Sequence, residues 1–186
     1  ITVVLSSNMK KMLKNGVLVR KLVGIETSGS LSMLFTDKTG TLTTGALTVS
    51  EIYTGQGAAY SWDTLDKTYQ TDFQMGTSVC GGTGNSTERA IEQFCQMQNT
   101  VHSSFPEQIP FDSDKKYCAG RTEEQGYIRG AADILLPFCH TWLDGNGREQ
   151  PMHPALRTEL NGVIRNAAAQ CGRVLLQGRF SPEDFS

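Results

Sequence analysis

Residues 37–43, DKTGTLT, put one carboxylate, one ammonium, a glycine and three hydroxyls into seven positions, directly after the apolar run SMLFT. A carboxylate at the C-terminal end of a buried parallel strand stands where open α/β sheets place their ligands. Lys38 balances phosphate charge, and Thr39 and Thr41 supply hydroxyl donors. Gly40 lets the backbone approach closely, so that its N–H groups can line an anion-binding nest. This set suits Asp37 as a carboxylate nucleophile that attacks a phosphoryl group and becomes an aspartyl-phosphate. The plain alternative is a polar turn in which Asp37 is only a cap.

Positioning Asp37 needs a strand before it, and the nearly unbroken apolar character of 32–37 predicts one buried on both faces of a parallel sheet. Upstream, Val4, Met9, Met12 and Leu13 are spaced as on a helix over 1–15, with Asn15-Gly16 as its stop. Residues 17–22 suit a short strand, and 24–30 a short helix or turn ending at Gly29. After Gly45 the pattern changes. Residues 46–55 alternate as a half-buried antiparallel strand does, and 58–72 are polar and weakly patterned. A helix is predicted over 85–98, with Asn85 or Ser86 as cap, Glu88 in the first turn and Ala90, Ile91, Phe94 and Cys95 on one face. Strands follow at about 115–121 and 125–129, then a helix from Ala131 and a turn at 144–151. A helix over 156–170 and a strand within 172–180 complete the chain. The boundary near Leu47 separates a small α/β piece, 1–46, from an α+β domain, 47–186.

Composition narrows the classes. The 186 residues are 38% hydrophobic, enough for a packed core. A formal charge of −2 gives no electrostatic reason to expect nucleic acid as a partner. The local basic cluster of Lys10, Lys11, Lys14, Arg20 and Lys21 is explained by a solvated helix face. Five cysteines, widely spaced and without a CxxC pair, argue against zinc and are expected to be reduced and mostly buried. The Asp144-Gly145-Asn146-Gly147 run is accounted for by turn chemistry rather than metal binding, and His102, His140 and His153 are scattered. No run approaches the roughly 18 to 20 apolar residues of a membrane-spanning helix. A chain beginning at Ile1, with no signal peptide, reads as a soluble cytosolic piece excised from a longer protein.

DKTGTLT after an apolar strand resembles the phosphorylation signature of P-type ATPases, ion pumps of the haloacid-dehalogenase-like superfamily, and KNGVLVRKLVGIETSGS resembles the lead-in from their fourth membrane helix. Downstream, GNSTERAI (84–91), IPFDSDKKYCA (109–119), IRGAAD (128–133) and CGRVLL (171–176) resemble, in the same order, motifs of the family's nucleotide-binding domain. The resemblance implies an antiparallel sheet flanked by helices over 47–186, preceded by part of a Rossmann-like phosphorylation domain in 1–46. It implies ATP and Mg²⁺ as cofactors. Asp37 would accept the γ-phosphate, Lys38 would assist it, and Thr39 would contact the phosphate through its side chain. Asp37 and the Thr39 carbonyl would hold Mg²⁺. Phe111 would stack on adenine, Lys116 would be its charged partner, and Glu88, Arg129, Gly130 and Arg173 would complete the nucleotide site. Arg129 stands where the family's pattern has lysine, Ala132 where it has proline, Asp133 where it has glutamate and Ser86 where proline is common. The implied partners are a transported cation, calcium favoured, and the remaining pump domains: membrane helices, actuator domain and the rest of the phosphorylation domain. The implied location is the cytoplasmic face of a membrane.

Two other classes fit parts of the pattern. A soluble phosphatase of the same superfamily would carry a second aspartate two residues after the nucleophile, where this chain has Thr39. A non-catalytic nucleotide-sensing module would keep Asp37 only as a remnant. No Thr-Gly-Asp, Asp-Pro-Pro-Arg or Gly-Asp-Gly-x-Asn-Asp segment occurs in the sequence. The isolated chain is therefore expected to bind nucleotide weakly and to hydrolyse little or none.

Overall fold

The computed structural model describes residues 2–81, 84–100, 102–144, 146–170 and 172–185; Ile1, Gly145 and Cys171, and the expectations placed on them, lie outside the described residues. The chain divides into two compact units, Ile1–Gly45 and Ala46–Ser186.

The first unit is helical. Helix α1 (Thr2–Lys14) carries Lys11 and Lys14 in its last turn, where cations oppose the partial negative charge of the exposed carbonyls. It stops where predicted. Gly16 takes φ +79°, its N–H donates to the Leu13 carbonyl at 3.0 Å, and the Val17 N–H reaches the Met12 carbonyl at 2.9 Å. Helix α2 (Leu22–Gly29) follows. The strands predicted over 17–22 and 32–37 are not formed: the first segment leads directly into α2, and the second is irregular with Phe35 88% exposed. Apolar side chains select burial, but a strand exists only when a neighbour takes up its N–H and C=O groups, and no described residue offers 32–37 that ladder.

The second unit is α+β. It opens with a two-residue hairpin, β1 (Ile52–Tyr53) and β2 (Ala59–Tyr60), so the strand predicted over 46–55 is much shorter than its alternation implied. Helix α3 (Lys67–Ser78) begins inside the weakly patterned stretch 58–72. The Asp66 carboxylate caps it by accepting the Thr68 N–H at 2.8 Å. Helix α4 (Ser86–Met97) is capped by Asn85, whose side chain accepts the Glu88 N–H at 2.9 Å. The main sheet comprises β3 (Glu107–Asp112), β4 (Tyr117–Arg121), β5 (Gly126–Ala131) and, last in the chain, β8 (Leu175–Phe180). It is antiparallel throughout, in the order β3-β4-β5-β8. Between β5 and β8 come α5 (Ala132–Leu135), the hairpin of β6 (Thr141–Leu143) and β7 (Glu149–Pro151), and α6 (Pro154–Ala169). His153 caps α6 through Nδ1, which accepts the Leu156 N–H at 3.1 Å.

Register decides what the sheet buries. Cys118 lies opposite Arg129, and Gly120 opposite Tyr127; across β5, Arg129 faces Gln177 and Tyr127 faces Arg179. Period-two alternation puts these six on one face, and α3 and α4 pack on it. The Arg129 side chain reaches Thr77 and Glu88, and Arg179 pairs with Asp72. The core is Val79, Cys80, Phe105, Cys118 and Tyr127, with Met75 against it. Trp62, Phe73 and Phe94 meet edge to face at 5.3–5.9 Å and lock α3 against α4.

The expectation of wholly reduced cysteines is corrected here. Cys80, just past the end of α3, and Cys118, the second residue of β4, are joined in a disulfide with Cα atoms 5.6 Å apart, while Cys95 and Cys139 are free. Thirty-eight positions separate the pair in sequence, so no local spacing marks it. Packing of α3 on the sheet brings it together.

Tyr69, on α3, donates its hydroxyl to the Leu143 carbonyl of β6. Burial raises the phenol from its ordinary 10.0 to about 12. A folded state that holds this proton is fully stabilised by it below pH 10, and that share is lost as the pH rises through about 12. Tyr69→Phe is therefore expected to lose less stability than the unsubstituted chain between pH 10 and 12. Urea unfolding at each pH measures the difference.

Candidate functional site

Arg129 is 2% exposed and Glu88 6%. Its Nη2 donates to Glu88 Oε2 at 2.5 Å, and its Nη1 donates to the Thr77 carbonyl at 3.1 Å. A planar guanidinium can hold two acceptors in a fixed fork, whereas an ammonium offers no such geometry. One side chain of β5 thereby fastens the end of α3 and the first turn of α4. The Asn85 cap holds the Glu88 backbone as Arg129 holds its carboxylate.

Beside this pair lies a second polar link. Arg173, just before β8, donates through Nη1 to the Thr87 hydroxyl at 2.5 Å, at an exposed position. Arg173, Thr87, Glu88 and Arg129 are thus brought into one neighbourhood at the N-terminus of α4, where unpaired N–H groups and the helix dipole favour anions. Thr77 and Thr87 were not singled out from the sequence. Thr87 stands inside the GNSTERAI stretch, while nothing local marks Thr77, whose carbonyl is the group used.

Gly130 adjoins Arg129 and pairs with Tyr117. A Cβ there would come within 2.6 Å of the Lys116 carbonyl oxygen and 2.9 Å of Tyr117 Cα, so this glycine is required by the closeness of β4. Lys116 itself takes φ +60°, and its carbonyl accepts the Ala131 N–H at 3.0 Å. The β3–β4 turn is closed by the Lys116 N–H on the Asp112 carbonyl at 2.7 Å. The Asp112 carboxylate accepts the N–H groups of Asp114 and Lys115, which hold it below the usual carboxylate range. Phe111 and Lys116 are the chain neighbours that precede Asp112 and Tyr117 of the closing pair, and Phe111 is 44% exposed. Phe111 and Lys116 therefore belong to one hairpin, whose β4 strand is paired with Gly130.

Asp37, Lys38 and Thr39 belong to the first unit, and all are exposed. Asp37 Oδ1 accepts the Lys38 N–H at 2.7 Å. The Lys38 carbonyl accepts the N–H groups of Leu42 and Thr43 at 3.0 and 3.1 Å, with Gly40 at φ +78° making the tight turn. Those two amides close the loop. Asp144 accepts the N–H groups of Asn146 and Arg148, as its turn reading requires.

Residues 70–181 match the family described as P-type ATPase, cytoplasmic domain N. The plasma membrane-type calcium-transporting ATPase 5 of Oryza sativa subsp. japonica is 30% identical over 91% of this chain and 18% of its own length. The plasma membrane-type calcium-transporting ATPase 4 of Arabidopsis thaliana is 29% identical over 94% of this chain and 20% of its own. A calcium-transporting ATPase of Listeria monocytogenes is 28% identical over 96% of this chain and 23% of its own. The chain spans about a fifth of the length of these relatives.

Removing one partner of a buried ion pair leaves the other charge uncompensated, which costs about 3–5 kcal/mol. Glu88→Ala should lower unfolding stability by about that amount. Arg129→Lys keeps the charge but forfeits the fork, and a loss of about 1–3 kcal/mol is expected from one unsatisfied buried acceptor. Denaturant unfolding of the two variants ranks them.

Proposed function

Since the chain belongs to the P-type ATPases through their cytoplasmic domain N, we propose that its second unit binds ATP and that the full-length protein transfers the γ-phosphoryl group to Asp37 to drive cation transport, calcium being the favoured ion. The observation that carries the nucleotide reading is the exposed Phe111 ring, held with Lys116 on a hairpin fixed by Gly130. A purine stacks on an aromatic face for about 1–3 kcal/mol per base, and Lys116 and Arg173 offer cations to phosphate. In this reading Glu88 and Arg129, engaged with each other, hold the first turn of α4, where Thr87 meets Arg173. Calcium is favoured because the similar proteins of rice, Arabidopsis and Listeria are named calcium-transporting ATPases.

In the proposed reaction an Asp37 carboxylate oxygen attacks the γ-phosphorus in line, the bond to the β–γ bridging oxygen breaks, and ADP leaves with that electron pair. Lys38 offsets the charge of the phosphoryl oxygens, and the Thr39 hydroxyl donates to one of them. Thr39 carries no carboxyl proton, so it offers no general acid or base to hydrolyse the aspartyl-phosphate, which then persists. This is what a pump needs to couple hydrolysis to movement, and it separates the reading from a soluble phosphatase. The Asp37 carboxylate and the Thr39 carbonyl are hard oxygen donors of the kind Mg²⁺ takes. When bound there, Mg²⁺ supplies neutralisation of the phosphate charge. Among the described residues no group of three or more Asp, Glu, His or Cys side chains could hold a metal. The proposed ligand set within this chain is therefore partial, and the chain alone should hydrolyse little ATP. Residues 1–46 belong in this reading to the phosphorylation domain and 47–186 to the nucleotide domain. The other pump domains are partners at the cytoplasmic face of a membrane. No helix of the described residues is long and apolar enough to cross one.

Titration of the isotope-labelled chain with ATP is expected to shift the resonances of Phe111, Lys116, Gly130 and Arg173. Phe111→Ala should weaken binding about tenfold or more, the loss of one stacked base. Unchanged affinity in that variant would sink the adenine assignment. In the full-length protein, Asp37→Asn should abolish incorporation of label from γ-labelled ATP into acid-stable phosphoprotein; retained labelling would remove Asp37 from the mechanism.

A further inference from the structure

We propose that Cys80 and Cys118 form a redox-responsive clasp that sets how firmly the start of α4 is held to the sheet, and with it the affinity of the nucleotide site. The second half of this statement rests on the nucleotide reading above; the first half does not.

The argument begins with what the disulfide joins. Cys80 lies two residues beyond α3, and Thr77, three residues before it, presents the carbonyl that Arg129 grips at 3.1 Å. Cys118 is the ladder partner of Arg129, and its Sγ lies 3.5 Å from the Arg129 carbonyl oxygen. The disulfide and the Arg129 fork are therefore two parallel ties between the end of α3 and the β4–β5 pair. Five residues after Cys80 stands Asn85, the cap of α4, followed by Thr87 and Glu88, which meet Arg173 and Arg129. The Arg129 fork joins the Thr77 carbonyl to the Glu88 carboxylate, so movement at the end of α3 bears on the first turn of α4.

The pair is also packed so that its oxidation state matters. Cys118 is 0% exposed and Cys80 5%, within the cluster of Val79, Phe105 and Tyr127. Two thiols cannot remain at bonding distance, so reduction drives the sulfurs apart in a core that has little room to yield. Cys80, the less buried of the two, is the point of attack. A thiolate of a dithiol reductant bonds to Cys80 Sγ, the Cys80–Cys118 bond breaks, and Cys118 leaves as a thiolate and takes a proton. The second thiol of the reductant then displaces Cys80. The protein gains two electrons and two protons, and the dithiol ends as its cyclic disulfide. Oxidation by a small-molecule disulfide reverses each step.

The test uses the whole chain, oxidised with glutathione disulfide or reduced with dithiothreitol, beside a Cys80→Ser/Cys118→Ser variant. Peptide mapping without reduction should recover the Cys80–Cys118 link from the oxidised form; its absence overturns the proposal. Amide exchange at 85–91 reads the clasp without any ligand and should quicken about tenfold on reduction, the lower range of site-to-site coupling. ATP titration should show an affinity about five- to tenfold weaker in the reduced form. The double variant should match the reduced form in both measurements and ignore dithiothreitol. Faster exchange with no ATP binding in either form keeps the clasp and removes the nucleotide reading. Equal exchange at 85–91 in the two forms overturns the clasp.

Discussion

Arg129 carries a full charge in a position that is 2% exposed, and the second unit is arranged around meeting that requirement. A buried guanidinium is tolerated only where its donors are taken up and its charge is balanced. Here the balance comes from Glu88 of α4 and the second acceptor from the last turn of α3. Because the three partners come from three elements, satisfying the charge also fixes how two helices lie on the sheet. The neighbouring glycine lets β4 approach β5 closely enough to build the hairpin that holds Phe111 and Lys116. Packing and the proposed site therefore share one origin.

The same arrangement supports the exposed groups of the proposed site. Phe111 lies near the end of β3 and Lys116 at the end of the turn that follows, where the Asp112 carbonyl and carboxylate are occupied by backbone N–H groups, and Arg173 donates to the Thr87 hydroxyl. Each reaches outward from a support that is itself hydrogen-bonded. Such preorganisation reduces the ordering cost of binding. The first unit follows a different logic. Its two helices end in well-formed stops, but the segment before Asp37 remains irregular because an apolar strand has no meaning without a ladder to join.

Legibility in the sequence followed the locality of each signal. Helix α4 was readable because its cap, first-turn acid and apolar face all fall within one stretch, and β4, β5 and β8 because their alternation and turns are local. Helix α3 escaped because its sequence, KTYQTDFQMGTS, carries few aliphatic side chains; aromatic contacts through Phe73 and a polar anchor through Tyr69 take their place. The disulfide escaped for the opposite reason: nothing in its surroundings is unusual until a helix end is laid on a strand 38 positions away. Glu88 and Arg129 were picked out separately as ligand-facing residues. That each holds the other could not be read from positions 41 residues apart.

By itself the sequence determined the family resemblance, the order of its motifs, the carboxylate in its hydroxyl-rich turn and the helices and strands with local periodicity. Each motif, cap and periodic face lies within a short stretch, so it is legible before any tertiary contact is known. Tertiary structure alone decided which charges neutralise each other, which cysteines join, and that Gly130 serves the approach of a neighbouring strand. It also decided that 32–37 forms no strand among the described residues. Each of these is set by a partner distant in the chain, and burial makes the identity of that partner the deciding term.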